Sequence, residues 1–279
     1  MTLAALGLSQ ELALIVIGAV AGVAGGMFGI GGGIVMIPAL AFILGDAYGQ
    51  DSFHAYNLAS ITTAILLSIP AAIRHTRAKA VLYAMLPSLI PLALVGVVGG
   101  VLISGYLTGE YTRTLKRIFG LFLEFVVVVS AFQDWRRRKG EPHLCASCPL
   151  PTRRSFIGLV VGLPSGCIAG LLGVGGGIWA VPAQSLLLGV RLRYAIATTT
   201  LMIISVALAT SVGQSIQLAR LPHNPPLHHA AWWLTLWLTP GALVGGWCGA
   251  ALTHRLPTRW LGYGFQLLLL ASGLRLLSI

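Results

Sequence analysis

One glycine-rich apolar segment occurs twice in the chain, once in each half. The first copy, residues 22–40, reads GVAGGMFGIGGGIVMIPAL, and the second copy, residues 166–184, reads GCIAGLLGVGGGIWAVPAQ. Both contain the pattern G-[IV]-G-G-G-I-x-x-[IV]-P-A. A match of this length between two distant segments indicates an internal duplication. The chain is therefore predicted to consist of two copies of one unit, each built around a glycine-broken apolar segment.

The amino-acid composition indicates that both units lie in a membrane. Hydrophobic residues make up 56% of the 279 residues and charged residues only 9%, whereas soluble domains carry about 25% charged residues. Several apolar runs reach the roughly 20 residues that a membrane-spanning helix requires. The sequence therefore predicts an all-α polytopic membrane protein, with the lipid bilayer as its obligatory partner.

The formal net charge of +11 raises the question of nucleic-acid binding. Basic cytoplasmic loops explain this charge better, because such loops of membrane proteins are enriched in Lys and Arg. The sequence also offers no soluble domain that could present a basic face to a nucleic acid. We therefore predict no nucleic-acid partner and relate the charge to membrane topology.

Apolar runs and polar loops divide the two halves in the same way. Each half begins with a glycine-broken segment, and three further spans follow. The broken segments are residues 11–45 and 155–189, and the spans are 54–73, 80–104, 118–132, 194–218, 230–253 and 260–279. Pro87 and Pro91 are expected to interrupt the span 80–104. The predicted domains are an N-terminal membrane repeat (1–133), a polar linker (134–154) and a C-terminal membrane repeat (155–279).

Two topologies are compatible with the broken segments. If each segment crosses the bilayer once, each half has four crossings and the halves are parallel repeats. If each segment instead enters and leaves on the same side, three crossings remain per half and the halves are inverted. The second arrangement places more of the 18 Lys and Arg residues on the inner side, as the positive-inside rule requires. We therefore expect two inverted repeats, each a glycine-broken re-entrant helix pair plus three transmembrane helices, with the linker in the cytoplasm.

The glycine breaks have the features of an anion-binding site. Each break leaves the N-terminal end of a half-helix, whose first N–H groups are unpaired and carry a partial positive charge. Glycine permits positive φ and lets a ligand approach the backbone closely. Broken helices at corresponding positions of inverted repeats are typical of secondary transporters. The predicted substrate-binding glycines are Gly29, Gly31, Gly32, Gly33, Gly173, Gly175, Gly176 and Gly177.

Close packing of helices is the alternative explanation for glycine in a membrane helix. Two pairs with four-residue spacing are predicted to serve this purpose, Gly96 with Gly100 and Gly245 with Gly249. Three consecutive glycines that recur beside the same proline exceed what packing requires. We therefore favour a substrate role for the triplets.

Polar side chains near the broken segments are candidates to donate hydrogen bonds to an anion. They are Asn57, Ser60 and Thr63 in the first half and Gln184, Thr199 and Thr200 in the second. For each of them, ordinary hydrogen bonding between helices is an equally good explanation. Their clustering after the breaks is what favours a place at the substrate.

Glu124 is an acidic residue well inside a predicted span. Carboxylates inside a membrane are costly and are functional candidates by default. Glu124 is therefore the candidate for proton coupling. A structural pair with Arg117, two turns earlier, is the alternative.

Cys145 and Cys148 form a CxxC pair in the polar linker, with His143 nearby. A structural zinc site usually has four ligands, and only three candidates lie close together. No thioredoxin-like sequence surrounds the pair, so we predict neither a metal site nor a cofactor. The spans also contain no cluster that combines a nucleophile, a base and an acid. We therefore assign no catalytic residue and do not expect an enzyme.

The doubled motif resembles the signature of the TauE/SafE sulfite exporter family. It reads GMFGIGGGIVMIPAL at residues 26–40 and GLLGVGGGIWAVPA at residues 170–183. The chain length and the central polar linker are also similar to those of the family. The resemblance implies a permease of the bacterial inner membrane that exports sulfite or an organosulfonate such as sulfoacetate. It points to the repeated glycines above and to Pro38 and Pro182.

Together, these observations predict a secondary transporter that exports a small sulfur-containing anion. We expect it to be coupled to protons and to work by alternating access, with the substrate bound where the two broken segments meet. A passive small-anion channel is the alternative function. The two differ in whether flux depends on a proton gradient.

Overall fold

The computed structural model describes residues 8–45, 52–107, 112–138, 154–220, 225–256 and 258–277, and within these ranges the chain forms helices and no β-strand. The first half contains α1 (Leu8–Phe28), α2 (Gly33–Leu44), α3 (Ser52–Arg77), α4 (Leu86–Tyr106) and α5 (Thr112–Arg138). The second half contains α6 (Arg154–Ile157), α7 (Leu163–Leu172), α8 (Gly177–Leu187), α9 (Leu192–Arg220), α10 (Pro225–Arg255) and α11 (Thr258–Leu277). The predicted all-α class is confirmed.

The two halves contain the same elements in the same order. A π-helical turn, Gly158–Gly162, joins α6 to α7, so these three pieces together correspond to α1. A glycine break then separates this first helix from a short second helix, α2 or α8, and three long helices follow. The order of elements thus repeats together with the repeated sequence motif.

The outer surface of the bundle is apolar, as expected for a surface that faces lipid. Large side chains such as Val95, Leu208 and Leu236 are exposed there. Four of the described segments are long and apolar enough to cross a membrane: Gln10–Phe28, Ser52–Arg77, Tyr83–Tyr106 and Leu192–Arg220. Length and composition thus support a multi-pass membrane protein.

Pro87 and Pro91 do not interrupt α4, contrary to the expectation from the sequence. Pro87 lies in the first turn of the helix, where a missing N–H leaves no hydrogen bond unmade. Pro91 lies inside the helix, and membrane helices tolerate such a proline because neighbouring groups satisfy the freed carbonyl. A 3₁₀ turn, Tyr83–Met85, precedes the helix instead.

Each glycine break folds into a helical hairpin. In the first half, Gly32 lies in the turn between α1 and α2, where a Cβ built on it would be 3.0 Å from the carbonyl oxygen of Ala21 on α1. Leu14 near the start of α1 and Leu40 near the end of α2 belong to one core cluster, so α2 runs back along α1. In the second half, Trp179 Nε1 of α8 donates to the carbonyl of Val160 at 3.0 Å. Neither short helix therefore extends the helix that precedes it.

The first helix of each half packs against the fourth helix of the other half, α1 on α10 and α7 on α4. Along the first contact, Gly18, Gly22 and Gly26 lie beside Leu238, Ala242 and Gly246, respectively. Along the second contact, Gly162, Gly166 and Gly170 lie beside Leu89, Ala93 and Val97. The neighbours follow in the same order on both helices, so the two members of each pair run in the same direction.

The predicted packing glycines lie in these two contacts. A Cβ at Gly96 or Gly100 would overlap the backbone of α7, and a Cβ at Gly245 or Gly249 would overlap the backbone of α1. Their packing role is confirmed. The helices can approach this closely only because both surfaces lack side chains at these positions.

The glycine breaks lie in the buried centre of the bundle. Ile30 and Val174, one from each break, are fully buried and share a core cluster with Phe119 of α5 and Leu269 of α11. Helices α3 and α9 pack against each other. These contacts surround the two breaks with protein, as irregular backbone inside a membrane requires.

Candidate functional site

The two glycine breaks touch each other. We call residues 29–33 loop G1 and residues 173–177 loop G2. A Cβ built on Gly175 would lie 3.5 Å from the carbonyl oxygen of Ile30 and 3.7 Å from the Cα atom of Gly31. A Cβ built on Gly33 would lie 3.0 Å from the Cα atom of Val174. The two loops thus meet at the contact between the halves, whereas Gly32 and Gly176 lie against the first helix of their own half, at Ala21 and Ser165.

Each loop leads directly into the N-terminus of a short helix. Helix α2 begins at Gly33 after Gly32, whose φ is 76°, and α8 begins at Gly177 after Gly176, whose φ is 73°. L-amino acids with a side chain rarely adopt this left-handed conformation. The first N–H groups of a helix have no partner within it. Two such helix ends meeting in the buried centre make a favourable environment for an anion.

Asn57 on α3 lies against loop G2. Its side chain is fully buried, and neither Oδ1 nor Nδ2 has a hydrogen-bond partner among the described residues. A Cβ built on Gly173 would lie 2.9 Å from the Asn57 Cβ. Leaving a buried amide unpaired costs about 1–3 kcal/mol. The Asn57 amide is thus a donor beside the loops that the fold itself does not use.

Ser60 lies one turn further along α3 and is used by the fold. Its hydroxyl donates to the carbonyl of Gly173 at 2.9 Å, and the side chain is fully buried. This bond joins α3 of the first half to loop G2 of the second half. Ser60 therefore contacts the backbone of loop G2. Its hydrogen bond fixes this loop relative to Asn57.

Gln184 and Thr199 form a buried pair on α8 and α9. Gln184 Nε2 donates to Thr199 Oγ1 at 2.7 Å, whereas Gln184 Oε1 has no partner in the ranges that the structure describes. The pair lies on the short helix that follows loop G2 and on the long helix next to it. It holds the N-terminal part of α9 against α8.

Thr63 and Thr200 donate within their own helices. Thr63 Oγ1 donates to the Ala59 carbonyl, and Thr200 Oγ1 donates to the Ile196 carbonyl, each at 2.8 Å. Threonine hydroxyls commonly bond the carbonyl four residues earlier in this way. Their protons are therefore engaged, which makes them weaker candidates as donors than Asn57.

Glu124 lies on α5 and faces α11. Its side chain is partly buried, its Oε1 atom lies against Gly273, and none of the side chains that the structure describes is a hydrogen-bond partner of that atom. Arg117 on the same helix is exposed. The structure thus shows a carboxylate oxygen at the contact of α5 and α11, outside the contact between the two loops.

A histidine pair holds the end of α1, and the sequence analysis did not assign it a role. His75 Nδ1 and His254 Nε2 are 3.0 Å apart, and His75 Nε2 is 3.2 Å from the Gly26 carbonyl. Thr253 Oγ1 donates to the Met27 carbonyl at 2.8 Å. These groups satisfy carbonyls in the last turn of α1, just before loop G1. Each histidine has an arginine beside it in the sequence, Arg74 or Arg255, and only tertiary contact joins the two histidines.

The CxxC pair, Cys145 and Cys148, lies outside the described residues. Within the described ranges, no group of three or more His, Cys, Asp or Glu side chains could hold a metal ion. Cys167 and Cys248 are free thiols on α7 and α10. The chemistry of the candidate site therefore comes from backbone N–H groups and side-chain amides.

Paired broken helices in the centre of an apolar helical bundle define the class of the protein as a multi-pass membrane transporter. Comparison with family models agrees, because residues 14–276 match the model described as Sulfite exporter TauE/SafE. The match covers most of the chain, and the chain belongs to this family. The resemblance carried by the doubled glycine motif is confirmed.

Relatives of the chain carry names of the same class. The protein named "Probable membrane transporter protein YunE" of Bacillus subtilis is 25% identical over 95% of this chain and 96% of its own length. A "Probable membrane transporter protein" of Haemophilus influenzae is 24% identical over 95% of this chain and 97% of its own length. MamO of Magnetospirillum gryphiswaldense is 27% identical over 92% of this chain, which spans 43% of MamO. No solved structure matches the chain.

Proposed function

We propose that the protein is a secondary transporter that exports a small sulfur-containing anion, sulfite or an organosulfonate such as sulfoacetate, across the bacterial inner membrane. The observation that carries the proposal is the contact between loops G1 and G2 with the unpaired Asn57 amide beside it. Helix N-termini and a neutral amide bind an anion without burying an opposite full charge. Family membership favours sulfur among the possible anions.

Inverted repeats are part of this proposal, and three contacts support them. Helix α10 runs parallel to α3, because Thr235, Gly246 and His254 lie beside Ala59, Leu67 and His75 in the same order. Helix α4 follows α3 through a short turn, which favours opposite directions for these two neighbours. Helices α4 and α10 are the equivalent helices of the two halves. Because α10 runs parallel to α3 and α4 runs opposite to α3, these two helices run in opposite directions. Each hairpin then enters the membrane as a re-entrant pair.

Alternating access follows from the proposed symmetry. In inverted repeats, one half can open the central site to one side of the membrane and the other half to the opposite side. The positive-inside rule places Arg74 and Arg77 at the end of α3 in the cytoplasm, together with the linker. Loops G1 and G2 would bind the anion between the two openings.

Counterflow in proteoliposomes tests this function. Vesicles loaded with unlabelled sulfite, sulfoacetate, thiosulfate or sulfate are diluted into the corresponding labelled anion. We expect transient accumulation of label with sulfite or sulfoacetate, because a carrier exchanges bound substrate across the membrane. Equilibration without accumulation would indicate a passive channel, and no uptake of any anion would contradict the proposed substrate class.

Glu124→Gln tests the proposed proton coupling. An imposed pH gradient is expected to drive net anion movement in the wild type, and Glu124→Gln is expected to remove this stimulation while exchange of anion continues. The amide keeps the size of the side chain but cannot take up and release a proton. Glu11→Gln, on the first turn of α1, serves as the matched control. Gradient-driven movement equal to wild type in Glu124→Gln would exclude this carboxyl as the coupling group.

A further inference from the structure

A cavity of about 270 Å³ lies at the end of the bundle where α3 begins and where α4 and α9 end. His54 contributes from α3, Tyr106 from α4, and Gln214, Gln217 and Arg220 from α9. The mouth is open, since Tyr106 is 83% exposed. The cavity lies outside the contact of loops G1 and G2, and none of its lining residues belongs to the sites predicted above.

The polar groups of the cavity are suited to an anion. Arg220 is exposed and brings a permanent positive charge to the mouth. Gln217 brings an amide N–H donor, and no acidic residue stands among the described residues that line the cavity. A cation beside neutral donors, without a competing carboxylate, raises the local concentration of small anions.

The inner end of the cavity is connected to loop G2 by a hydrogen bond. Gln214 is 2% exposed, and its Nε2 atom donates to the carbonyl of Gly170 at 2.8 Å. Gly170 lies in the last turn of α7, three residues before Gly173 begins the loop. This hydrogen bond joins the wall of the cavity to the helix that leads into loop G2.

Gln217 is held in place at the wall of the cavity. Its Nε2 atom donates to the carbonyl of Val101 on α4. Gly105, one turn further along α4, leaves room for this side chain, because a Cβ there would lie 2.5 Å from Gln217 Nε2. The amide has a second N–H, which can serve a ligand in the cavity.

We propose that this cavity is an anion-binding vestibule, a second site at which the transported anion is held by Arg220 and Gln217 before or after it occupies the glycine loops. The identity of its physiological ligand rests on the proposed function, whereas its preference for negative charge rests on its own residues. On the proposed topology the vestibule lies on the non-cytoplasmic side, because it is at the end of α3 opposite to Arg74 and Arg77. An exported anion reaches it after leaving the loops, and during exchange it supplies the central site with anion from that side. The vestibule therefore affects the apparent affinity for the anion, whereas the glycine loops determine the maximal rate of transport.

Charge-selective labelling tests the vestibule without any transport assay. Tyr106→Cys is introduced into a chain whose four native cysteines are replaced by serine. The thiol is then labelled with methanethiosulfonate reagents that carry either a sulfonate or a trimethylammonium group. We expect Arg220→Gln to lower the ratio of the two labelling rates, sulfonate over trimethylammonium, by about fivefold, the size of effect that one nearby unit charge has in a partly solvated site. Arg117→Gln removes a charge from α5 as a control and should leave the ratio unchanged.

Transport kinetics provide a second readout for the same variants. Arg220→Gln is expected to raise the KM for anion that enters exchange from the vestibule side about fivefold with an unchanged maximal rate, since loss of one exposed charge contact weakens binding by roughly that factor. Gly105→Ala should raise KM in the same direction, because it displaces the Gln217 amide while leaving the charge of Arg220. An unchanged labelling ratio together with an unchanged KM in Arg220→Gln would overturn the vestibule. If the wild type transports none of the anions, the proposed function fails, and the labelling ratio still decides the vestibule.

Discussion

Asn57→Asp is expected to abolish anion transport, and Asn57→Ala to lower the initial rate of uptake at least about tenfold. A lost hydrogen bond to a charged ligand costs about 1.5–3 kcal/mol, and a factor of ten corresponds to about 1.4 kcal/mol. Aspartate has the shape of asparagine but replaces a donor with a negative charge, which repels an anion at the loops. Initial rates of labelled anion uptake into proteoliposomes measure both effects.

The stability of the same variants separates a substrate role from a structural one. Within the described part of the chain the Asn57 amide has no partner, so its removal takes no hydrogen bond from that part of the fold. We therefore expect Asn57→Ala to have a thermal midpoint within a few degrees of wild type, equivalent to about 1 kcal/mol or less. Thr239→Val, which removes a hydroxyl bonded within α10, controls for loss of a polar group elsewhere. A large loss of stability in Asn57→Ala with normal transport per folded molecule would show that Asn57 is structural.

Gly177→Ala is expected to abolish transport and to destabilise the fold by about 1–3 kcal/mol, the usual cost of inserting a carbon into a filled core. The added Cβ would lie 2.7 Å from the Cα atom of Ile30 and would also overlap the carbonyl of Gly29. Backbone atoms cannot move aside as a side-chain end can. Loops G1 and G2 must therefore move apart, so that the N-termini of α2 and α8 no longer lie together.

Gly99→Ala is the matched control for this variant. A Cβ at Gly99 meets nothing within 4 Å, and alanine in a helix interior is about 1 kcal/mol more favourable than glycine. We expect normal transport and an unchanged or slightly raised thermal midpoint. Transport in Gly177→Ala at the level of Gly99→Ala would mean that the contact between the loops is not required. Uptake per folded protein and thermal unfolding in detergent give both readouts.

Local sequence patterns were sufficient to predict the elements of the fold. The breaks at Gly31–Gly33 and Gly175–Gly177 and the long helices lie where the apolar runs and the glycine motif place them. Charge patterns were less precise at helix ends: α5 continues to Arg138, beyond the predicted span that ended at residue 132. Basic residues continue a helix as readily as they form a loop outside the membrane. Pro91 was misinterpreted because the surroundings of a proline, which decide its effect, are not visible in sequence.

The site was only partly predictable, because its contacts join distant parts of the chain. Asn57 could be selected as a polar residue in an apolar helix, but only the structure shows that its amide is unpaired while the hydroxyls of Thr63 and Thr200 are engaged. The pairing of His75 with His254 joins helices from opposite halves, and that of Gln214 with Gly170 joins two helices that are separated along the chain by α8. Neither pair has a local sequence signal that distinguishes it from ordinary interfacial or packing residues.

Equilibrium binding of labelled sulfite to the purified protein tests the central claim most directly, because it measures the loop site without membrane or gradient. The wild type is expected to bind the anion saturably, Thr239→Val to bind it equally well, and Asn57→Asp and Gly177→Ala to show no saturable binding at the loops. Arg220→Gln keeps this binding with unchanged affinity, because the vestibule is a separate site. Saturable binding of equal affinity in wild type and Asn57→Asp would contradict the assignment of the anion site to the paired glycine loops.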